Sequence, residues 1–256
     1  MPASTKSPHF EGHDVLTHLK KARQKGAVAS GEIHGTEASG AVAAWADSTK
    51  ESAVVLSALT LILTALGIAP PLILWTLVAF SLSYLFWKTG RSALLGWHRL
   101  ERLHRLIEEE RFEVKHHRSQ EREELTAMYA QKGFRGKLLT DVIDVLMADD
   151  NRLLQVMLEE ELGLRLEAHE HPLQQALCAG LGVMSASMIG IGAFYFGSLP
   201  ALLGGLGIVF ALATGVFTRR QGNALARSMV WSLAVGAFVL GFLYLLIHSI
   251  FAPYFF

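Results

Sequence analysis

Three stretches of this chain carry no Asp, Glu, Lys or Arg: 52–87, 171–218 and 228–256. Uninterrupted apolar runs of this kind read as membrane spans, since crossing a bilayer takes roughly 20 apolar residues. The first run is too long for one crossing, and Pro70-Pro71 marks a turn inside it. The second is longer still and turns at Gly197-Ser198-Leu199-Pro200. The third holds one crossing and a short aromatic tail. The pattern predicts an all-α membrane protein with five transmembrane helices, near 52–69, 71–88, 173–197, 199–218 and 228–250.

Between the second and third crossings the pattern turns polar but stays helical. One helix continues from the second span through His98-Arg99-Leu100-Glu101 to about Lys115. A second runs from about Gln120 to Gln131, with Ser119 as its N-cap and Gly133 able to end it. A third covers Leu138 to Met147. Asp149-Asp150-Asn151 make a turn and cap before a last helix to Glu161, ahead of Gly163. The apolar positions Leu138, Val142, Leu146, Leu153, Val156 and Met157 suit a small helical bundle.

Charge then orients the pattern. Every Lys and Arg lies in 1–51, 88–170 or 219–227. Five crossings put these segments on one side, which the positive-inside rule makes the cytoplasm. The expected organisation is a cytoplasmic N-terminal segment with the start of the first helix over 1–51, and a transmembrane hairpin over 52–97. A cytoplasmic helical domain over 98–170 lies between helices 2 and 3. Transmembrane helices over 171–250 and an outer tail over 251–256 complete the chain. A bacterial inner membrane and a vacuolar-type membrane fit equally well. The N-terminus shows no cleavable signal pattern; its basic cluster Lys20, Lys21, Arg23 and Lys25 reads as a topology determinant.

The chain as a whole has zero formal net charge and is 51% hydrophobic. Residues 98–170 hold 12 Lys/Arg and 17 Asp/Glu. An acidic block argues for cations and against nucleic acid as partner. Cys178 is the only cysteine, which excludes an intrachain disulfide and a thiolate metal site. No nucleophile–base arrangement, phosphate loop or zinc motif is present to suggest an enzyme.

The candidate chemistry lies in the acids. Glu110 and Glu113 are three apart, Glu121 and Glu124 repeat that spacing, and Met157 and Glu161 are four apart. Such spacings gather side chains on one helix face, where carboxylates can converge on a cation. A thioether adds a softer donor that suits Fe(II) or a similar transition metal over Ca²⁺. Spacing alone also fits a solvated charged face. Glu108, Glu109, Glu123, Glu159 and Glu160 are nearby acids that serve equally well on composition. His116-His117 reads as a solvated helix junction, and His9, His13, His18 and His34 have no compact ligand spacing.

The segments Arg111-Phe112-Glu113-Val114-Lys115-His116-His117, Glu121-Arg122-Glu123-Glu124-Leu125, Lys132-Gly133-Phe134 and Met157-Leu158-Glu159-Glu160-Glu161 resemble the cytoplasmic metal-binding domain of the vacuolar iron transporter family. The resemblance covers most of 98–250 and is strongest from 110 to 164. It implies a homodimeric, proton-coupled exporter of cytosolic Fe(II), able to carry other divalent metals such as Mn(II). Carried over by motif, the metal-binding positions are Glu110, Glu113, Glu121, Glu124, Met157 and Glu161.

The first two spans depart from that family. Its first span has an Asp-Gly step, whereas Asp47 here is followed by Ser48. Either Asp47 or Glu51 is left to supply the translocation acid. Its second span has Met and Glu near the pore; Phe80–Lys88 has neither. Lys88 is expected to snorkel to the cytoplasmic surface. A cation path needs polar groups to replace hydration. The alternative function is therefore a non-transporting, membrane-anchored metal buffer or sensor, or a dimeric scaffold. Met184 and Met188 read as packing residues, and Gly182, Ala186 and Gly190 as a small-residue stripe that can seat a neighbouring helix.

Overall fold

The computed structural model describes residues 15–30, 40–164 and 171–255. His9, His13 and His34 lie outside them. Every regular element among the described residues is helical: α1 (Val15–Ser30), α2 (Ala41–Ala65), α3 (Pro70–His116), α4 (Arg118–Gln131), α5 (Gly136–Met147) and α6 (Asp150–Val156). A one-turn π-helix (Met157–Glu161), α7 (Pro172–Arg220) and α8 (Leu225–Phe255) follow. The chain divides into two units. Described residues 15–30 and 97–164 form the polar one; 40–96 and 171–255 form the apolar one.

In the apolar unit, four helices are long and apolar enough to cross a membrane: α2, α3, α7 and Leu225–Ile250 of α8. The first begins at Ala41, well before 52, so Asp47, Lys50 and Glu51 lie within it. Its end and the following turn fall at 66–69, and Pro70 opens α3, where a missing N–H costs nothing. The helix α7 is one run by hydrogen bonding but breaks at Ser198, whose φ of 71° is left-handed, two residues before Pro200. Residues on either side of that break touch. A Cβ at Gly190 would lie 2.9 Å from Leu206, and one at Gly205 would lie 3.3 Å from Ala193. The chain therefore doubles back at Ser198, as the Gly-Ser-Leu-Pro pattern predicts.

Small residues set the closeness of packing. A Cβ at Gly182 would stand 2.4 Å from the Trp45 carbonyl oxygen, and Thr49 Oγ1 donates to the Gly182 carbonyl at 3.3 Å. The stripe thus seats α2 through Gly182 and the second arm of α7 through Gly190. Three of the buried polar residues on α2 satisfy their hydroxyls within the helix. Thr49, Ser52 and Thr60 each return a hydrogen bond to the carbonyl four residues back, at 2.6–2.7 Å. The apolar core joins Leu56, Ile73, Leu77, Leu202 and Leu206, while large side chains such as Phe86, Met188, Phe196 and Phe238 face outward. An outward apolar surface is what a lipid environment accommodates.

In the polar unit, the C-terminal part of α3 packs with α1, α4, α5, α6 and the π turn. Leu19, Val114, Leu125, Met128, Ile143, Leu153 and Met157 make one core; Ala22, Leu103, Leu158, Leu162 and Leu164 make a second. Asp149 caps α6 by accepting from the Arg152 N–H at 2.8 Å, as its position before a helix predicts. The basic N-terminal cluster lies on α1, which packs against α4 and the π turn.

Candidate metal centre

Four of the five acids contributed by the paired motifs and the later helix are buried together. Glu110 comes from α3, Glu121 and Glu124 from α4 and Glu161 from the end of the π turn; none is more than 4% exposed. The carboxylate oxygens of Glu110, Glu121 and Glu161 lie within 4.8 Å of one another, as do those of Glu124 and Glu161 with a His18 nitrogen. Two local features accompany their burial. On α4 the i, i+3 spacing puts Glu121 and Glu124 on the face that also buries Leu125 and Met128. After Val156 the helix widens, and the Leu162 N–H bonds to the Met157 carbonyl five residues back, at 3.2 Å. Glu161, the last residue of that turn, is buried. Such π turns recur at functional sites.

Burial and mutual repulsion act in the same direction. Two unit charges 4.8 Å apart repel by about 3–4 kcal/mol at an effective dielectric near 20. Desolvation, reinforced by the neighbouring carboxylates, pushes Glu121 up to about 10. Desolvation first, then Glu161, Glu113 and Glu124, hold Glu110 well above the usual carboxylate range. Glu161 is raised likewise by burial and by Glu124, while its hydrogen bond to Glu124 keeps the proton on Glu161. Glu124 is raised to about 7, chiefly by burial. Without a counter-charge, burial and mutual repulsion favour the protonated form of these carboxyls.

Glu113 is half-buried and adds its charge to all four of these acids. Met157 is fully buried in the apolar core beside Leu125 and Leu153. The other nearby acids are elsewhere. Glu108 is exposed and pairs with Arg111 at 2.6 Å, and Glu160 pairs with Lys132. Glu109, Glu123 and Glu159 are also exposed. His116 is exposed, stacked on Phe112 with ring centroids 4.0 Å apart.

One residue of the cluster was invisible to spacing. His18 Nε2 lies 3.6 Å from Glu161 Oε1 and 3.9 Å from Glu124 Oε1. The usable signal was the apolar pattern Val15, Leu19, Ala22, which marks an amphipathic helix with His18 on its inner face.

Compared with protein families, the chain matches the VIT family over residues 98–248. The chain belongs to the VIT family. No curated protein matches it. Membership agrees with the vacuolar iron transporter resemblance of the acidic motifs, and it places the chain among integral membrane proteins of metal transport rather than among enzymes. The VIT match takes in the whole acidic cluster except His18 and begins after α2 and the apolar part of α3.

That unmatched region carries the translocation candidates of this VIT family member. Asp47 pairs with Lys50 at 2.8 Å, and Lys50 sits over the Phe217 ring. Glu51 accepts from Lys88 Nζ at 2.7 Å and from the Tyr84 hydroxyl at 3.2 Å. Lys88 does not snorkel: it is only 1% exposed. Its carboxylate partner Glu51 on the facing helix holds it inside. Asp47, Lys50, Glu51 and Tyr84 line a cleft of about 610 Å³ whose other walls are mostly apolar, including Phe210, Trp231 and Val235.

Proposed function

We propose that this protein exports cytosolic divalent metal, Fe(II) first and Mn(II) among the others, in exchange for protons. The polar unit, on the cytoplasmic side with the N-terminus, collects the metal on Glu110, Glu113, Glu121, Glu124, Met157 and Glu161. The membrane helices then carry it across. In this reading α7 crosses twice, so the four long helices make five crossings, and the functional unit is a homodimer in a bacterial inner or vacuolar-type membrane.

The observation that carries the reading is the burial of Glu110, Glu121, Glu124 and Glu161 in one pocket. Four carboxylates held together away from water are costly unless protonated or bound to a cation. Because burial favours protonated carboxyls there, metal entry must release protons, which gives a natural coupling between metal and proton movement. Asp47 and Glu51 are the acids offered to the metal in the membrane, and each already has a lysine ammonium beside it. Metal passing there has to displace that ammonium.

Purified protein in liposomes should take up Fe(II) with opposed proton movement, and replacing Glu113 and Glu161 by Ala should weaken uptake. No flux above empty liposomes would sink the transport reading. The ion pair of buried Lys88 with Glu51 favours a second reading, in which metal is bound and buffered or sensed but not moved. Metal binding without flux would select it; neither binding nor flux would leave a dimeric scaffold.

A further inference from the structure

The acid pocket has a nitrogen donor from a helix outside both the paired-glutamate motifs and the family match. We propose that His18 is a metal ligand, and that through it α1 closes the pocket and tilts its preference toward borderline transition ions over Ca²⁺ and Mg²⁺. The proposal rests on the reading that the carboxylate cluster binds divalent metal.

Three observations carry it. The first is separation. Donors about 2.1 Å from a shared ion stand about 3.4 Å apart at tetrahedral angles and about 4.2 Å apart when opposed. His18 Nε2 lies 3.6 and 3.9 Å from the Glu161 and Glu124 oxygens, within that range. Both distances are too long for hydrogen bonds. The imidazole therefore faces the two carboxylates at ligand-like separations, across a space that an ion can fill. The second is anchoring. Leu19 and Ala22 are buried in the two cores of the polar unit, so the His18 face of α1 is fixed toward the pocket. Arg23 reaches the Glu160 carbonyl at 3.5 Å and reinforces the seat. The third is the pocket floor. Glu110 is 4% exposed, and its Oε1 has no hydrogen-bond partner, which leaves a buried oxygen aimed into the cluster.

The chemical consequence follows from donor type. An all-carboxylate pocket suits hard cations such as Ca²⁺ and Mg²⁺. Imidazole adds a donor suited to Fe, Zn, Ni and Cu and poorly suited to Ca²⁺. His18 thereby acts as a specificity residue, and its position on a separate helix lets docking of α1 complete the coordination sphere.

The test uses the full chain in detergent, with Mn(II) as the spectroscopic probe and Co(II) and Ca²⁺ as competitors. Pulsed electron paramagnetic resonance on bound Mn(II) should show ¹⁴N coupling from one imidazole, and His18→Gln should abolish it. The same variant should lose about tenfold or more in Co(II) affinity, with Ca²⁺ affinity changed far less. Coupling that is absent from the unmodified protein, or that survives in His18→Gln, overturns the proposal if Glu161→Gln still abolishes Mn(II) binding. If the unmodified protein binds no Mn(II), or Glu161→Gln leaves binding unaltered, the carboxylate pocket is not the site, and the broader reading falls with it.

Discussion

Replacing Glu121 by Gln should make the metal-free protein more stable, and increasingly so as pH rises. Glu121 is fully buried, and its carboxyl is pushed from 4.5 up to about 10, first by desolvation and then by Glu110, Glu124 and Glu161. Between these two values the folded state holds a proton that the unfolded state has released. Stability must therefore fall as pH rises through that window, by about 1.4 kcal/mol per unit. Near pH 7.5 the accumulated loss reaches a ceiling of about 4 kcal/mol, and solvent relaxation brings the expected value to about 1–4 kcal/mol. Gln keeps the shape of the protonated acid and cannot ionise, so it recovers that amount. Below pH 4.5 both forms are neutral, and the two proteins should unfold together. The assay is thermal unfolding by circular dichroism, in detergent with chelator, from about pH 4.5 to 9. Mn(II) should then narrow the gap, and reverse it where the gap is smaller than the gain, since ligand at 100 times Kd stabilises the wild type by about 2.7 kcal/mol and should do little for the variant. A gap that stays flat or narrows with rising pH would refute the account of the pocket.

Other consequences follow from the same geometry. Metal binding should strengthen with pH and release more than one proton per ion near neutrality, because burial favours the protonated forms of Glu110, Glu121 and Glu161; calorimetry in buffers of different ionisation enthalpy measures the count. Gly182→Val should cost about 1–3 kcal/mol or more of stability, because a Cβ there meets the Trp45 carbonyl oxygen at 2.4 Å; a thermal midpoint equal to wild type would contradict the α2–α7 contact. Glu51→Gln should destabilise by about 3 kcal/mol, because it takes the carboxylate away from the buried Lys88 ammonium, and Lys88→Met in the same chain should recover part of the loss; additive losses would mean the pair is not coupled. Leu125→Ala should cost about 2–5 kcal/mol and weaken metal binding indirectly, checked by unfolding and titration side by side.

Much of the architecture is written in the local pattern. Charge-free runs mark the long helices, Pro and Gly mark their breaks, and the i, i+3 glutamate pairs mark the face that α3 and α4 turn inward. What the pattern leaves open is long-range. Composition could not separate Glu110 from Glu108 and Glu109, because only burial against α4 and the π turn distinguishes them. The first helix is expected to start before 52, but its first residue, Ala41, is not marked, because Asp47, Lys50 and Glu51 read as a cytoplasmic flank. His18 was passed over because its ligand-range neighbours are more than a hundred residues away in sequence. The π turn that ends at Glu161 is also unmarked in sequence.

The central claim is that Glu110, Glu121, Glu124 and Glu161 form a metal site. Crystals of the full chain soaked in Mn(II) or Fe(II) test it directly through anomalous scattering. The account predicts a metal peak inside that pocket, within coordination distance of these carboxylates, and its loss in Glu121→Gln. A pocket without a peak, in crystals that carry the metal elsewhere on the protein, would contradict it.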